Sequence, residues 1–249
     1  MKLLANRINR KIIWIGAAVL IIALCFGCCA VYLSDYYRAD LEAIEAFAVG
    51  REVEKAEVAD GLIAFGDPHA EIGLIFYPGG KVEYTAYEPL MRSIAANGVL
   101  CILVRMPFNL AVLDVNRADA ARAHFPEVES WYIGGHSLGG SMAASYLGSH
   151  AGELRGLVLL GAYSTADLSG GSAKVLSVYG SADGVMNREK YEQYRDNLPS
   201  ATTEILIDGG CHAYFGMYGE QEGDGAPSLS AEEQIAISAG YISDFILRR

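Results

Sequence analysis

The pentapeptide Gly135-His136-Ser137-Leu138-Gly139 constrains the fold of this chain more than any other stretch. A short apolar segment with β-forming residues (129–134) precedes it, and small helix-compatible residues (140–147) follow it. In a G-x-S-x-G turn between a strand and a helix, the serine backbone is strained and the neighbouring positions leave no room for a Cβ. We therefore predict that Ser137 stands above a sheet edge, at the positive N-terminus of a helix, as a nucleophile.

A serine nucleophile needs a base that takes its proton and an acid that orients the base. On this kind of turn the partners follow in the order serine, acid, histidine, each after a later strand. Asp183 follows the predicted strand 174–179, and His212 follows the predicted strand 203–207. Asp183 is therefore predicted to be the orienting acid and His212 the base, with Asp167 as an alternative acid.

The other histidines and two nearby aspartates are assigned ordinary roles. His136 lies inside the pentapeptide and is expected to point away from the proton of the serine. Asp208 and Asp224 flank the loop of His212 and are predicted to be turn and surface residues. The remaining histidines are expected at turns and helix ends: His69, His124 and His150.

Acyl transfer also needs N–H donors for the oxyanion. One is the backbone N–H of Leu138, which follows the nucleophile. The second is expected in the glycine-containing loop 78–81, directly after the predicted strand 72–77. Gly80 is the first choice of donor and Lys81 is the neighbouring alternative, while a plain glycine turn is the competing interpretation.

Five segments carry a wider pattern: 77–82, 105–111, 135–140, 179–184 and 209–216. In this order they resemble the α/β-hydrolase superfamily, and more narrowly the small bacterial dienelactone-hydrolase-like enzymes, over residues 70–247. The resemblance implies an α/β-hydrolase fold, with a mostly parallel, doubly wound sheet and helices on both faces. Dienelactone hydrolases proper use a cysteine nucleophile, so Ser137 favours general ester hydrolysis over lactone hydrolysis.

The pattern along the chain agrees with such a sheet. From residue 72 onward, apolar strand segments alternate with helical segments, which is typical of a parallel sheet covered on both faces. The predicted strands are 52–58 and 62–65 (an antiparallel pair), then 72–77, 99–104, 131–134, 157–160, 174–179 and 203–207. The predicted helices are 41–49, 86–97, 115–124, 138–149, 188–197 and 231–247. Residues 162–173 are too few for a lid domain, which favours an open pocket and substrates of short or medium length over long-chain lipid.

Residues 12–33 contain no charged residue and are predicted to form a transmembrane helix. As a helix, a stretch of this length spans about 33 Å, against about 30 Å for the hydrocarbon core of a bilayer. The basic residues of the segment 1–11 place that segment in the cytoplasm and the catalytic domain outside it. Residues 34–50 are predicted to connect this anchor to a catalytic domain at 51–249. A cleaved signal peptide and a lipoprotein signal with Cys28 or Cys29 as the modified residue are the alternatives.

Charge and cysteine content narrow the class of protein further. The chain has a formal charge of −11, and residues 34–249 carry 15 basic and 30 acidic residues. Such a domain repels nucleic acid and is biased against polyanionic substrates. Cys101 and Cys211 are candidates for a disulfide outside the cytoplasm, and no Cys/His spacing indicates a metal site.

Together these features predict a membrane-anchored, carboxylesterase-like serine hydrolase that acts on a small-molecule ester and needs no cofactor or metal. Apolar residues near the predicted site are candidates either to line the substrate pocket or simply to pack: Met106, Phe108, Tyr163, Tyr214 and Phe215. An acyltransferase with the same triad and a catalytically silent surface binding protein are the alternatives.

Overall fold

The computed structural model describes residues 2–248, with side chains described at Trp14 and from Gly16 onward. The chain forms two compact units, Met1–Tyr36 and Tyr37–Arg249. The first unit contains one helix, α1 (Lys2–Ser34), whose stretch Gly16–Ser34 is long and apolar enough to cross a membrane. A signal sequence near the N-terminus would meet the same criterion. The side chains of the basic residues before position 12 lie outside the described part of the chain.

The second unit is built on an eight-stranded sheet within the described residues. Its strands are β1 (Lys55–Ala59), β2 (Leu62–Phe65), β3 (Ile72–Tyr77), β4 (Leu100–Val104), β5 (Ser130–His136), β6 (Gly156–Leu160), β7 (Lys174–Gly180) and β8 (Thr203–Ile207). They lie in the order β1-β2-β4-β3-β5-β6-β7-β8, in which the β1–β2 and β2–β4 pairs are antiparallel and every other pair is parallel. The predicted antiparallel start and parallel remainder of the sheet are confirmed.

Six α-helices accompany the sheet in the described part of this unit. They are α2 (Leu41–Ala48), α3 (Glu88–Ala95), α4 (Ala118–His124), α5 (Leu138–Ser149), α6 (Arg188–Gln193) and α7 (Ala231–Leu247). Three are shorter than predicted because part of each predicted span is a 3₁₀ turn: Tyr84–Tyr87, Val115–Arg117 and Arg195–Asn197. Helix α7 starts at its expected residue because Ser230 and Glu233 form a capping box.

Apolar side chains of the strands alternate between the two faces of the sheet. Leu74 and Phe76 belong to a core shared with α3 and α7, whereas Ile75 and Tyr77 belong to a second core shared with α4 and α5. This alternation follows from the two-residue period of a strand. The sheet is therefore covered by helices on both faces, as in a doubly wound α/β fold.

The second unit begins at Tyr37, before the first predicted residue of the catalytic domain. Helix α2 buries Ile44 and Phe47 in the core that α3 also lines. Residues 37–50, which we predicted to be a connecting stretch, thus form part of this unit.

The carboxyl ends of β3, β5, β6, β7 and β8 all point to one edge of the sheet, since these strands are parallel.

Candidate active site

Ser137 lies at a sharp turn between β5, which ends at His136, and α5, which begins at Leu138. Its backbone has φ 51° and ψ −123°, a conformation that non-glycine residues rarely adopt and that is often found at functional sites. A Cβ on Gly135 would lie 2.5 Å from the backbone of Gly139, and one on Gly139 would lie 2.2 Å from the carbonyl oxygen of Pro78. Only glycine therefore allows α5 to approach the sheet this closely.

Asp183 and His212 form a buried pair at the ends of β7 and β8. The Nδ1 atom of His212 lies 2.9 Å from Oδ2 of Asp183, and both side chains are fully buried. The other carboxylate oxygen, Oδ1, accepts hydrogen bonds from the backbone N–H groups of Val185 (3.0 Å) and Met186 (2.8 Å). This leaves Nε2 of His212, which is buried and has no hydrogen-bond partner among the described residues, available for a proton.

The end of β6 brings Ser137 and this pair to the same place. The N–H of Ser137 donates to the carbonyl oxygen of Leu160 (2.9 Å), the last residue of β6. A Cβ on the next residue, Gly161, would lie 2.9 Å from Nδ1 of His212 and 3.1 Å from Oδ2 of Asp183. The serine and the acid–base pair thus flank two consecutive residues of the chain.

The alternative acid, Asp167, lies in a different arrangement. Its carboxylate is exposed and accepts hydrogen bonds from the N–H (3.0 Å) and hydroxyl (2.6 Å) of Ser169.

Cys211, next to His212, is a free and buried thiol, as is Cys101. Burial raises the pKa of the Cys211 thiol to about 12, so it stays protonated at neutral pH.

Asp224 has a structural role that the sequence did not indicate. Its carboxylate accepts hydrogen bonds from the backbone N–H groups of Gly184 (3.0 Å), His212 (3.1 Å) and Ala213 (2.8 Å). Burial raises the pKa of Asp224, but these hydrogen bonds outweigh that effect and hold the pKa below its usual value. Instead of occupying a surface turn, Asp224 joins the loop of the acid to the loop of the base.

His136 was expected to have an ordinary surface role, and that prediction was wrong. Its side chain is buried, and its ring centroid lies 4.4 Å from that of His212. Its Nδ1 lies 2.8 Å from the hydroxyl of Tyr87, which also accepts a hydrogen bond from the N–H of Gly79 (3.1 Å). Burial, and then the nearby His212, lower the pKa of His136 well below its usual value, so the ring stays neutral beside the base.

The loop after β3 lies against the start of α5. A Cβ on Gly80 would lie 3.0 Å from the side chain of Leu138. The N–H of Lys81 already donates to the carbonyl oxygen of Asn109 (2.8 Å), whereas the described residues provide no acceptor for the N–H of Gly80 or of Leu138. The N–H of Leu138 is unpaired because the first N–H groups of a helix have no partner within it.

The five pocket candidates lie in different environments. Met106 and Phe215 are buried and pack in opposite cores of the sheet. Phe108 is 62% exposed, while Tyr163 and Tyr214 are partly buried. The ring of Tyr163 stacks on that of Tyr194, with their centroids 5.8 Å apart. Phe108, Tyr163 and Tyr214 are therefore the candidates with surface left to offer a substrate.

Comparisons with known proteins agree with this fold. The family model described as the alpha/beta hydrolase family matches residues 73–236, well over half of the chain. The crystal structure of a predicted CIB-like hydrolase from Thermoplasma acidophilum is similar, with a TM-score of 0.53 and 14% identity over 78% of this chain and 98% of that chain. At that identity the likeness shows the fold alone. No curated protein matches the chain. On the family match, together with the sheet and the turn at Ser137, this chain belongs to the alpha/beta hydrolase family.

Proposed function

We propose that this hydrolase cleaves ester bonds through Ser137, His212 and Asp183. The observation that carries the proposal is the buried Asp183–His212 pair, in which Nε2 of His212 has no hydrogen-bond partner among the described residues. The strained turn of Ser137, at the same edge of the sheet, supports it. A serine, a histidine and a carboxylate with these roles form the catalytic triad of many acyl-transfer enzymes. The alcohol of a serine is a weak nucleophile alone, so the base is needed to activate it.

The reaction proceeds in two halves. His212 takes the proton of the Ser137 hydroxyl as the serine oxygen attacks the ester carbonyl, and the N–H groups of Leu138 and Gly80 stabilise the oxyanion. The tetrahedral intermediate then collapses, and His212 gives its proton to the departing alcohol. Water, deprotonated by His212, attacks the acyl-enzyme, and His212 returns this proton to the Ser137 oxygen as the acid departs. Throughout, Asp183 keeps Nδ1 of His212 protonated and stabilises the imidazolium.

The proposal extends to a membrane anchor. The apolar stretch Gly16–Ser34 of α1 supports a single transmembrane helix. The basic residues at the N-terminus support a cytoplasmic N-terminus and a catalytic unit on the opposite side of the membrane. The acidic surface of the catalytic unit supports a small uncharged ester, rather than nucleic acid, as the substrate.

Ester turnover by the full-length protein in detergent micelles tests the triad. We expect Ser137→Ala and His212→Ala to abolish hydrolysis of p-nitrophenyl butyrate, and Asp183→Asn to lower kcat by about 10⁴-fold, as in other triads of this kind. Ser145→Ala, a matched change further along α5, is expected to keep the wild-type rate. Near wild-type turnover by a folded Ser137→Ala protein would refute the assignment.

A further inference from the structure

The first residues of the catalytic unit are bonded to the proposed oxyanion loop. The N–H of Tyr37 donates to the carbonyl oxygen of Lys81 (2.7 Å), and the N–H of Glu83 donates to that of Tyr37 (2.9 Å). Tyr37 and Val82 thereby form a short parallel bridge. The chain that comes from α1 thus enters the catalytic unit beside the residues that follow Gly80. We call residues 37–40 the entry strap.

The entry strap also contacts the loop that follows His212. The hydroxyl of Tyr37 accepts a hydrogen bond from the N–H of Glu222 (3.2 Å), and its ring lies 5.7 Å from that of Tyr218. The N–H of Asp40 donates to the carbonyl oxygen of Met217 (2.9 Å). Because these bonds reach both the loop after β3 and the loop after His212, the entry strap holds a fixed position against the two loops.

The connection between α1 and the entry strap is short. Helix α1 ends at Ser34 and the catalytic unit begins at Tyr37, so only two residues intervene. Three Cα–Cα steps of about 3.8 Å allow at most about 11 Å between Ser34 and Tyr37. If α1 spans a bilayer, the chain therefore has at most this length between the end of the helix and the entry strap.

An exposed apolar segment adjoins the same loop. Phe108, Val112 and Leu113 are 62%, 53% and 54% exposed. They lie beside Asn109, whose carbonyl oxygen binds the N–H of Lys81. Phe108 and Asn109 both have positive φ values (51° and 56°), a strained conformation that is tolerated where function requires it.

The charge of this segment differs from that of the rest of the catalytic unit. Residues 105–117 contain two arginines and one aspartate, whereas residues 34–249 have twice as many acidic as basic residues. An apolar surface without excess negative charge is suited to a lipid interface, which repels acidic surfaces when it contains anionic lipids. The exposed apolar side chains thus adjoin the loop to which the entry strap is bonded.

From this arrangement we infer that the site acts on esters that reside in the bilayer surface, with Phe108, Val112 and Leu113 contacting the lipid. This inference rests on the proposed esterase activity and anchor. The acyl chain stays among the lipids while the ester group reaches Ser137. The substrate is therefore an amphiphilic acyl ester, and its location in the membrane, rather than a lid, selects it over esters dissolved in water.

Full-length protein in phosphatidylcholine vesicles tests the inference through two esters with the same leaving group. p-Nitrophenyl butyrate is water-soluble, whereas p-nitrophenyl palmitate partitions into the bilayer. A flexible insertion of about 20 Gly/Ser residues between Asp35 and Tyr36 lengthens the connection to α1, so that the catalytic unit can move away from the vesicle surface. We expect the insertion, and separately Val112→Ser with Leu113→Ser, to lower the palmitate-to-butyrate rate ratio at least about fivefold, because the effective concentration of bilayer ester falls.

The matched control removes exposed apolar side chains elsewhere, at Leu206 and Ile237. Leu206→Ser with Ile237→Ser is expected to leave the ratio unchanged. An unchanged ratio in both the insertion and the Val112/Leu113 variants, with butyrate still hydrolysed, would overturn the membrane inference alone. A wild-type protein that does not hydrolyse p-nitrophenyl butyrate would instead contradict the proposed esterase function.

A second measurement is independent of activity. Leu113→Trp and Leu206→Trp each add one tryptophan to the same background of Trp14 and Trp131. Brominated phosphatidylcholine quenches tryptophan fluorescence only on contact with the acyl chains. We expect it to remove most of the fluorescence added at position 113 and little of that added at position 206. Equal quenching at the two positions would overturn lipid contact by this segment.

Discussion

The hydroxyl of Tyr87 connects the proposed oxyanion loop to the strand that precedes the proposed nucleophile. It accepts the N–H of Gly79 and lies 2.8 Å from Nδ1 of His136, the residue before Ser137. Burial raises the pKa of Tyr87, so the hydroxyl remains protonated beside His136. This buried oxygen thus holds the loop after β3 at a fixed distance from the end of β5.

We predict that Tyr87→Phe lowers kcat by about tenfold or more with little change in KM. The substitution leaves the buried N–H of Gly79 without an acceptor, which costs about 1–3 kcal/mol and displaces the loop. Steady-state kinetics with p-nitrophenyl butyrate give both constants. Tyr191→Phe is the control, because Tyr191 is also buried but bonds to Ser177 on β7. A wild-type kcat for Tyr87→Phe would contradict this role.

Asp224 is predicted to position the acid and base loops and to stabilise the fold at neutral pH. Its pKa is depressed in the folded protein, so its charge stabilises the fold above the unfolded pKa of about 3.9, and this stabilisation is lost as pH falls through the folded value. We expect Asp224→Asn to lower the unfolding temperature at pH 7 and to differ less from wild type at pH 3. An equal difference at both pH values would exclude a contribution from the charge.

Chain order and strand ends were enough to propose Ser137, Asp183 and His212 as a triad, and the structure brings Asp183 and His212 into contact. There is a physical reason why the roles of Asp224, Tyr87 and His136 could not be predicted from the sequence. Their roles depend on hydrogen bonds that cross the fold, such as the one from Tyr87 to His136, which are 49 residues apart. A single sequence contains no local pattern for such contacts.

At the scale of elements, the residue after β6 supports the acid–base pair. Gly161 has φ +52°, and a Cβ there would lie 2.9 Å from Nδ1 of His212. We predict that Gly161→Ala lowers kcat by about 100-fold or more while the secondary structure is retained, because small displacements of reacting groups are costly. Gly98→Ala is the control that separates backbone strain from steric contact of the new Cβ. Gly98 also has a positive φ (+87°), but no atom lies within 4 Å of a Cβ added there.

Turnover is measured for both variants, and circular dichroism checks their folding. The strained backbone is common to the two changes, so a loss confined to Gly161→Ala identifies contact with the pair as the cause. Equal activity of the two variants would show that the end of β6 does not support the pair.

Strands were predicted more accurately than helices. The run 72–77 matches β3 residue for residue, because a buried apolar run marks a strand clearly. The run 203–207 also matches β8, although β8 is an edge strand in which Thr203 and Leu206 are exposed. Helix α3 begins at Glu88 rather than at residue 86, since Pro89 lies in the first turn of the helix and 3₁₀ geometry precedes it. Hydrophobic pattern alone does not distinguish 3₁₀ from α-helical turns.

For the whole molecule, the acidic balance of the catalytic unit predicts discrimination between substrates. At low ionic strength we expect kcat/KM for the anionic p-nitrophenyl hemisuccinate to be lower than for p-nitrophenyl butyrate, because the negative field repels anions. The difference should shrink as salt is added, since screening shortens the range of the field. A difference that does not respond to salt would point to contacts within the pocket instead.

Labelling by a fluorophosphonate tests whether Ser137 is an activated nucleophile. Full-length protein and its Ser137→Ala variant are each incubated with the reagent, and the intact mass is measured. We predict a single phosphonyl adduct on the wild-type protein and none on the variant. A folded wild-type protein that gains no adduct, or a variant that still gains one, would contradict the assignment of Ser137 as the nucleophile.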